Sequence, residues 1–193
     1  MSSRLPGSAH VTRPWRIHEI APDFRVEDVW ALDTPGGPDG LARLADQFTA
    51  GPDNVIVRAL LAIRLKLGKP LGMNPPTTGT GVSSLRERLP DDLRDRPGPD
   101  LGPYACLFLT DTEWAAHATT GGVDAIAHLG WVPDDTGGYR GQWTTLVKTH
   151  SWFGKTYMAG IAPIRHHVVY PLMVRSIARN WRTSDPQALR TTS

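Results

Sequence analysis

The sequence predicts an α+β fold in which a curved antiparallel sheet wraps a long C-terminal helix. Three observations predict it. Between residues 114 and 149 apolar and polar residues alternate in successive runs, the period of strands that bury one face. From Lys155 to Trp181 the period lengthens, and Met158, Ile161, Ile164, Val168, Leu172 and Ile177 form a broad helical stripe. The second half carries no GxGxxG string and no βαβ rhythm, which disfavours a dinucleotide fold. A meander and a helix with one apolar surface each must bury those surfaces against one another.

The 193 residues suit one domain, placed at 14–182, with 1–13 and 183–193 as flexible termini that offer little to bury. Between Trp15 and Leu32 one short strand is expected, followed by an irregular connection through Pro35, Gly36, Gly37 and Pro38. Gly40 to Ala50 reads as a short helix. Asp53 caps a second one, whose Val55, Ile63 and Leu67 recur at helical intervals and which Gly68 and Pro70 end. Residues 70–103 are rich in Pro, Gly and charge, and read as a loop or lid unless a short helix sits at Ser84 to Leu89.

Tyr104 to Leu109 is apolar on both faces, as a strand between two layers would be. Trp114 to Thr119 and Val123 to Trp131 alternate. The Asp/Gly turn at 133–138 then joins the second of these to Tyr139–Thr149 as a hairpin, with Tyr139, Trp143 and Val147 on one side. In the final helix Pro163 and Pro171 each remove a backbone donor and should kink or split it. Its late arginines suit the negative end of the helix dipole.

Composition excludes several classes. Charged residues make up 21% of the chain, and the formal charge of +2 is spread through mixed stretches such as Arg86-Glu87-Arg88, so no basic stripe for nucleic acid forms. No apolar run reaches the roughly 20 residues of a membrane span. Cys106 is the only cysteine, which rules out an internal disulfide and fits a reducing cytoplasm. It lies in an apolar strand without a charged activator, as a buried structural thiol does. There is no G-x-S-x-G elbow, and the glycine-rich stretch at Gly79 to Ser84 lacks the P-loop lysine.

The candidate site residues are aromatic and basic. Trp114, Trp131, Trp143 and Tyr157 either wall an apolar ligand pocket or fill the core. His117, His128, Lys148 and Arg165 are the polar groups that would orient a ligand, and His128 and Lys148 are the candidates for proton transfer. The competing reading of His117 and His128 is that of hydrogen-bonded structural histidines. No HxH or HExxH spacing is present, so no metal site is expected. His166 and His167 point about 100° apart on a helix, so at most one of them lines a cavity.

The string HLGWVPDDTGGYRGQWTTLVKTHSWFGKTYMAGIAPIRHHVVYPLMVRSIARNW, residues 128–181, resembles the C-terminal half of the bacterial domain-of-unknown-function family DUF 2867. Trp15 through Leu32, Ile63-Arg64 and Leu71-Gly72 resemble its N-terminal half, so the likeness spans roughly residues 14–182. It implies the START-like helix-grip fold of the polyketide-cyclase and lipid-transfer superfamily, with a cavity between sheet and helix. Three functions are then expected in order of preference. The first is cytoplasmic binding of an apolar or aromatic small molecule, without a cofactor. The second is a cyclase, dehydratase or isomerase acting on such a ligand. The third is an accessory module beside an oxidoreductase, because some relatives carry the domain behind an NAD(P)-binding one.

Overall fold

The computed structural model describes residues 2–50, 85–120, 123–150 and 165–183. The elements are β1 (Ser3–Leu5), α1 (Ser8–Val11), α2 (Ile17–Ile20), β2 (Arg25–Ala31), α3 (Leu41–Thr49), α4 (Asp91–Arg94), β3 (Ala105–Leu109), β4 (Glu113–Thr120), β5 (Val123–Pro133) and β6 (Tyr139–Thr149). A π-helical turn (Arg165–Val169) then leads into α5 (Tyr170–Thr183). The strands form one antiparallel sheet in the order β1-β2-β6-β5-β4-β3. The chain is therefore α+β, with strands and C-terminal helix where their periods place them.

The β5–β6 hairpin is the centre of the sheet. Its turn is tied by Asp134, whose Oδ1 accepts the backbone N–H groups of Thr136 at 2.8 Å and Gly138 at 3.1 Å, while Gly137 takes a φ of +85° that L side chains avoid. Helix α3 forms on the spacing of Leu41, Leu44, Ala45 and Phe48, all buried against the sheet. Each large apolar side chain so buried contributes about 1.5–3 kcal/mol relative to exposure. Helix α5 buries Tyr170, Val174, Ile177 and Trp181 on the same sheet face. Pro171 falls in the first turn of α5, where a missing N–H leaves no helical bond unmade, and the π-to-α change lies directly before it.

The sheet is covered on both faces, which the sequence reading did not expect. On the second face Leu107, Ala115, Ile126, Val132 and Leu146 pack under Trp15, Ile17 and Ile20 from the N-terminal segment and under Leu85, Leu89 and Leu93. Residues 2–13, expected to lie outside the core, supply an edge strand on β2 and the fully buried His10. The end of the expected 70–103 loop is likewise part of this layer, with helical turns at 85–87 and in α4. The reason is compositional. Short, polar helices carry only two or three anchors each, too few to register as a periodic stripe.

The helix expected over 53–67, the first part of the last helix and the tail after 183 lie outside the described residues. Among the described residues no helix is long and apolar enough to cross a membrane. Cys106 is a free, buried thiol on β3, and burial pushes its pKa up to about 11.

Candidate functional site

Strand register assembles the site. Trp30 on β2 stands opposite Trp143 on β6, and two residues along the same face Asp28 stands opposite Thr145. Above them Tyr170, the first residue of α5, is the hub. Its ring lies 4.6 Å from that of Trp143 and 5.9 Å from that of Trp30, and its hydroxyl is 3.4 Å from Thr145 Oγ1. Phe48 of α3 extends the wall, touching Trp143 at 5.7 Å and Trp114 at 5.8 Å between ring centroids. At the other end, His166 from the π-helical turn places Nε2 2.7 Å from Asp28 Oδ1, and Arg4 Nη2 reaches the same oxygen at 3.0 Å. The Asp28 side chain is 0% exposed and that of His166 21%. One face thus grades from indole and phenyl rings to a carboxylate–imidazole pair.

Indole hydrogen bonding sorts the tryptophans. The N–H groups of Trp114, Trp131 and Trp181 donate to the carbonyls of Pro99 at 3.1 Å, Gly37 at 2.8 Å and Pro35 at 2.9 Å, so these rings hold irregular segments onto the sheet. Trp30 and Trp143 are equally buried, yet neither Nε1 has an acceptor. A buried donor left unpaired costs about 1–3 kcal/mol.

The family model described as "Protein of unknown function (DUF2867)" matches residues 20–172, well over half of the chain. The chain belongs to the DUF2867 family. No curated protein and no solved structure matches it.

The candidates named from the sequence of this DUF2867 protein separate onto two faces. Trp114, Trp131 and Trp143 share the face under α3 and α5. His117, His128 and Lys148 belong to the opposite one, because β4, β5 and β6 alternate and each of these residues is an odd number of positions from a tryptophan on its own strand. They therefore do not converge with the tryptophans. Tyr157 and the Arg165 side chain lie outside the described residues.

His128 is 0% exposed and fixed at both nitrogens. Nε2 is 3.2 Å from Glu113 Oε2, and Nδ1 is 3.2 Å from His10 Nε2. Glu113 in turn accepts the backbone N–H groups of Arg16 at 2.8 Å and Ile17 at 3.2 Å at the start of α2. The carboxylate partner of His128 is thus cross-strand Glu113, and His117 does not pair with it. His117 lies opposite Ile126, with Nε2 3.8 Å from Asp124 Oδ1, beyond hydrogen-bond reach. Burial alone would raise the Asp124 carboxyl, but contacts from His117, Thr119 and His150 outweigh it and hold the group well below the usual range.

Lys148 is spent on Asp23 at 2.7 Å, and this contact with that of Arg88 holds the Asp23 pKa at about 2. Among the described residues no group of three His, Cys, Asp or Glu side chains is arranged to hold a metal. Sequence reasoning missed Asp28, Trp30 and Tyr170 as site residues. The one signal for Asp28 was a carboxylate within a strand that ends Val29-Trp30-Ala31, since an acid so close to an apolar run needs partners.

Proposed function

We propose that this DUF2867 protein binds an apolar or aromatic small molecule between the sheet and α5, in a helix-grip arrangement. The wall of Trp30, Phe48, Trp143 and Tyr170 supplies the apolar contact. The observation that carries the reading is the pair of buried indole N–H groups on Trp30 and Trp143, side by side across one ladder and without protein acceptors. The protein spends its other three indole donors on loop carbonyls within this same layer, so an acceptor on the ligand is the partner these two are built for. The ligand is then an aromatic or apolar body carrying an oxygen acceptor.

The test is calorimetric titration of purified protein with 2-acetylnaphthalene, an aromatic ketone, and with naphthalene as the acceptor-free comparison. The ketone should bind more tightly. Trp143→Phe keeps the ring but loses the donor, and should weaken ketone binding by about 0.5–1.5 kcal/mol. Trp131→Phe, whose N–H is already used, should leave it unchanged. Binding of neither compound, or equal losses in both variants, would overturn the reading.

A further inference from the structure

We propose that Asp28 and His166 are a proton-transfer pair acting on a carbonyl-bearing ligand held against the aromatic wall, an inference that rests on the binding reading above. Three observations set the pair apart from the other histidines of the molecule. His166 is partly open to solvent at 21% of its side chain, whereas His128 is sealed at 0%. It projects from a π-helical turn, a rare local winding that recurs at functional sites, onto the end of the site where Tyr170, Thr145 and Asp28 meet. Asp28 also lines a cleft of about 360 Å³ bounded by Arg4, Leu5, Glu27 and Val29, which gives the carboxylate end a route to the outside.

The chemistry follows from which nitrogen the carboxylate holds. Asp28 faces Nε2 of His166, which fixes the proton there in the neutral ring and leaves the lone pair on Nδ1. Arg4 on the same carboxylate oxygen keeps that oxygen anionic and in place. In the proposed step the Nδ1 lone pair takes a proton from the carbon next to the ligand carbonyl. The electron pair of the broken C–H bond becomes the C=C bond, and the carbonyl π pair moves onto oxygen to give an enolate. The oxygen takes hydrogen bonds from the Trp30 and Trp143 N–H groups, which meet developing charge in a site shielded from water. The imidazolium then returns the proton to the same carbon or to a conjugated one, so the net change is exchange or isomerisation. His166 is the base, and Asp28 is a positioning residue that acts through it.

The experiment uses 2-tetralone, an aromatic ketone with an acidic C–H next to its carbonyl, and the full chain in D2O. Calorimetry reads binding, and proton NMR reads loss of the C1–H signal. Wild type should bind and exchange that proton faster than buffer. In His166→Ala, exchange should fall about 10²-fold or more while affinity holds, and added free imidazole should restore part of it. Asp28→Asn should lower the exchange rate without changing affinity, and His167→Ala, an exposed neighbour, should change neither. Thermal melts establish that each variant is folded, and His166→Gln serves as a second removal of the base. Binding with exchange at the buffer rate, or undiminished exchange in both His166 variants, overturns the proton-transfer pair and leaves the binding reading standing. If 2-tetralone does not bind, both are overturned together.

Discussion

His10 shows how much one side chain can set. Glu113 takes the Nε2 proton of His128, so the neutral His128 ring offers Nδ1 as an acceptor and His10 donates to it through Nε2. That leaves His10 Nδ1 bare, buried and without a partner. A proton added there would bring a charge into a fully buried ring with no acceptor. Burial first, then the neighbouring His128 and His18, accordingly hold the His10 pKa at about 2, against 6.5 for a free histidine. The sign of the linkage is fixed by proton counts. Between pH 6.5 and 2 the unfolded chain binds a proton here that the folded chain does not, so this contribution is complete above pH 6.5 and is lost as pH falls. Urea unfolding at pH 7.5, 6.5 and 5.5 should therefore give stability that is flat and then declines by on the order of 1 kcal/mol per pH unit. The decline should be shallower in His10→Phe, and an equal slope in both proteins would exclude His10 as its source.

Among elements, the N-terminal layer departs most from sequence expectation. Strands β3 to β6 were legible because their alternation is long and their turns are rich in Asp and Gly. Helix α3 was legible from four anchors at helical spacing. The 2–20 segment was not, since its few anchors, His10, Trp15, Ile17 and Ile20, follow no single period, and a buried histidine looks the same in sequence as a solvated one. The same blindness hid the second face, where His117 and His128 read as outward polar residues although both are fully buried. The candidate site was legible in its tryptophans and not in its polar end, because Asp28 and His166 meet only through the docking of the C-terminal turn on β2.

Trp15 packs so closely on β5 that a Cβ at Gly130 would stand 2.7 Å from its indole. Removing residues 1–11 strips β1 and α1 and leaves His128 Nδ1 buried without its partner. The cost of an orphaned buried group, about 1–3 kcal/mol, corresponds to a melting temperature lower by roughly 3–10 °C at this chain length. Circular dichroism melts check this, and an unchanged midpoint would mean that the segment merely rests on the sheet.

At the scale of the whole molecule the two apolar clusters are not independent, because the same strands build both. β4 gives Trp114 and Ala116 to one face and Ala115 to the other, and β5 gives Leu129 and Trp131 to one and Ile126 and Val132 to the other. Loss of either layer exposes strands that the opposite layer needs in order to stay buried, so the sheet should come apart once rather than face by face. Two reporters test this from opposite sides. Tryptophan fluorescence follows the rings under α3 and α5, with Trp131 and Trp181 stacked at 5.8 Å and Arg43 lying 4.0 Å over Trp181. The Cys106 thiol, 5% exposed on the edge strand β3 and shifted up to a pKa of about 11, follows the far end of the sheet. In native buffer a thiol reagent should label Cys106 slowly, since little thiolate is present and little of it is reachable. Across a urea series the labelling should accelerate with the same midpoint as the fluorescence change, because opening the edge requires opening the core. A labelling midpoint well below the fluorescence midpoint would show instead that β3 and the 85–94 layer detach as a separate unit.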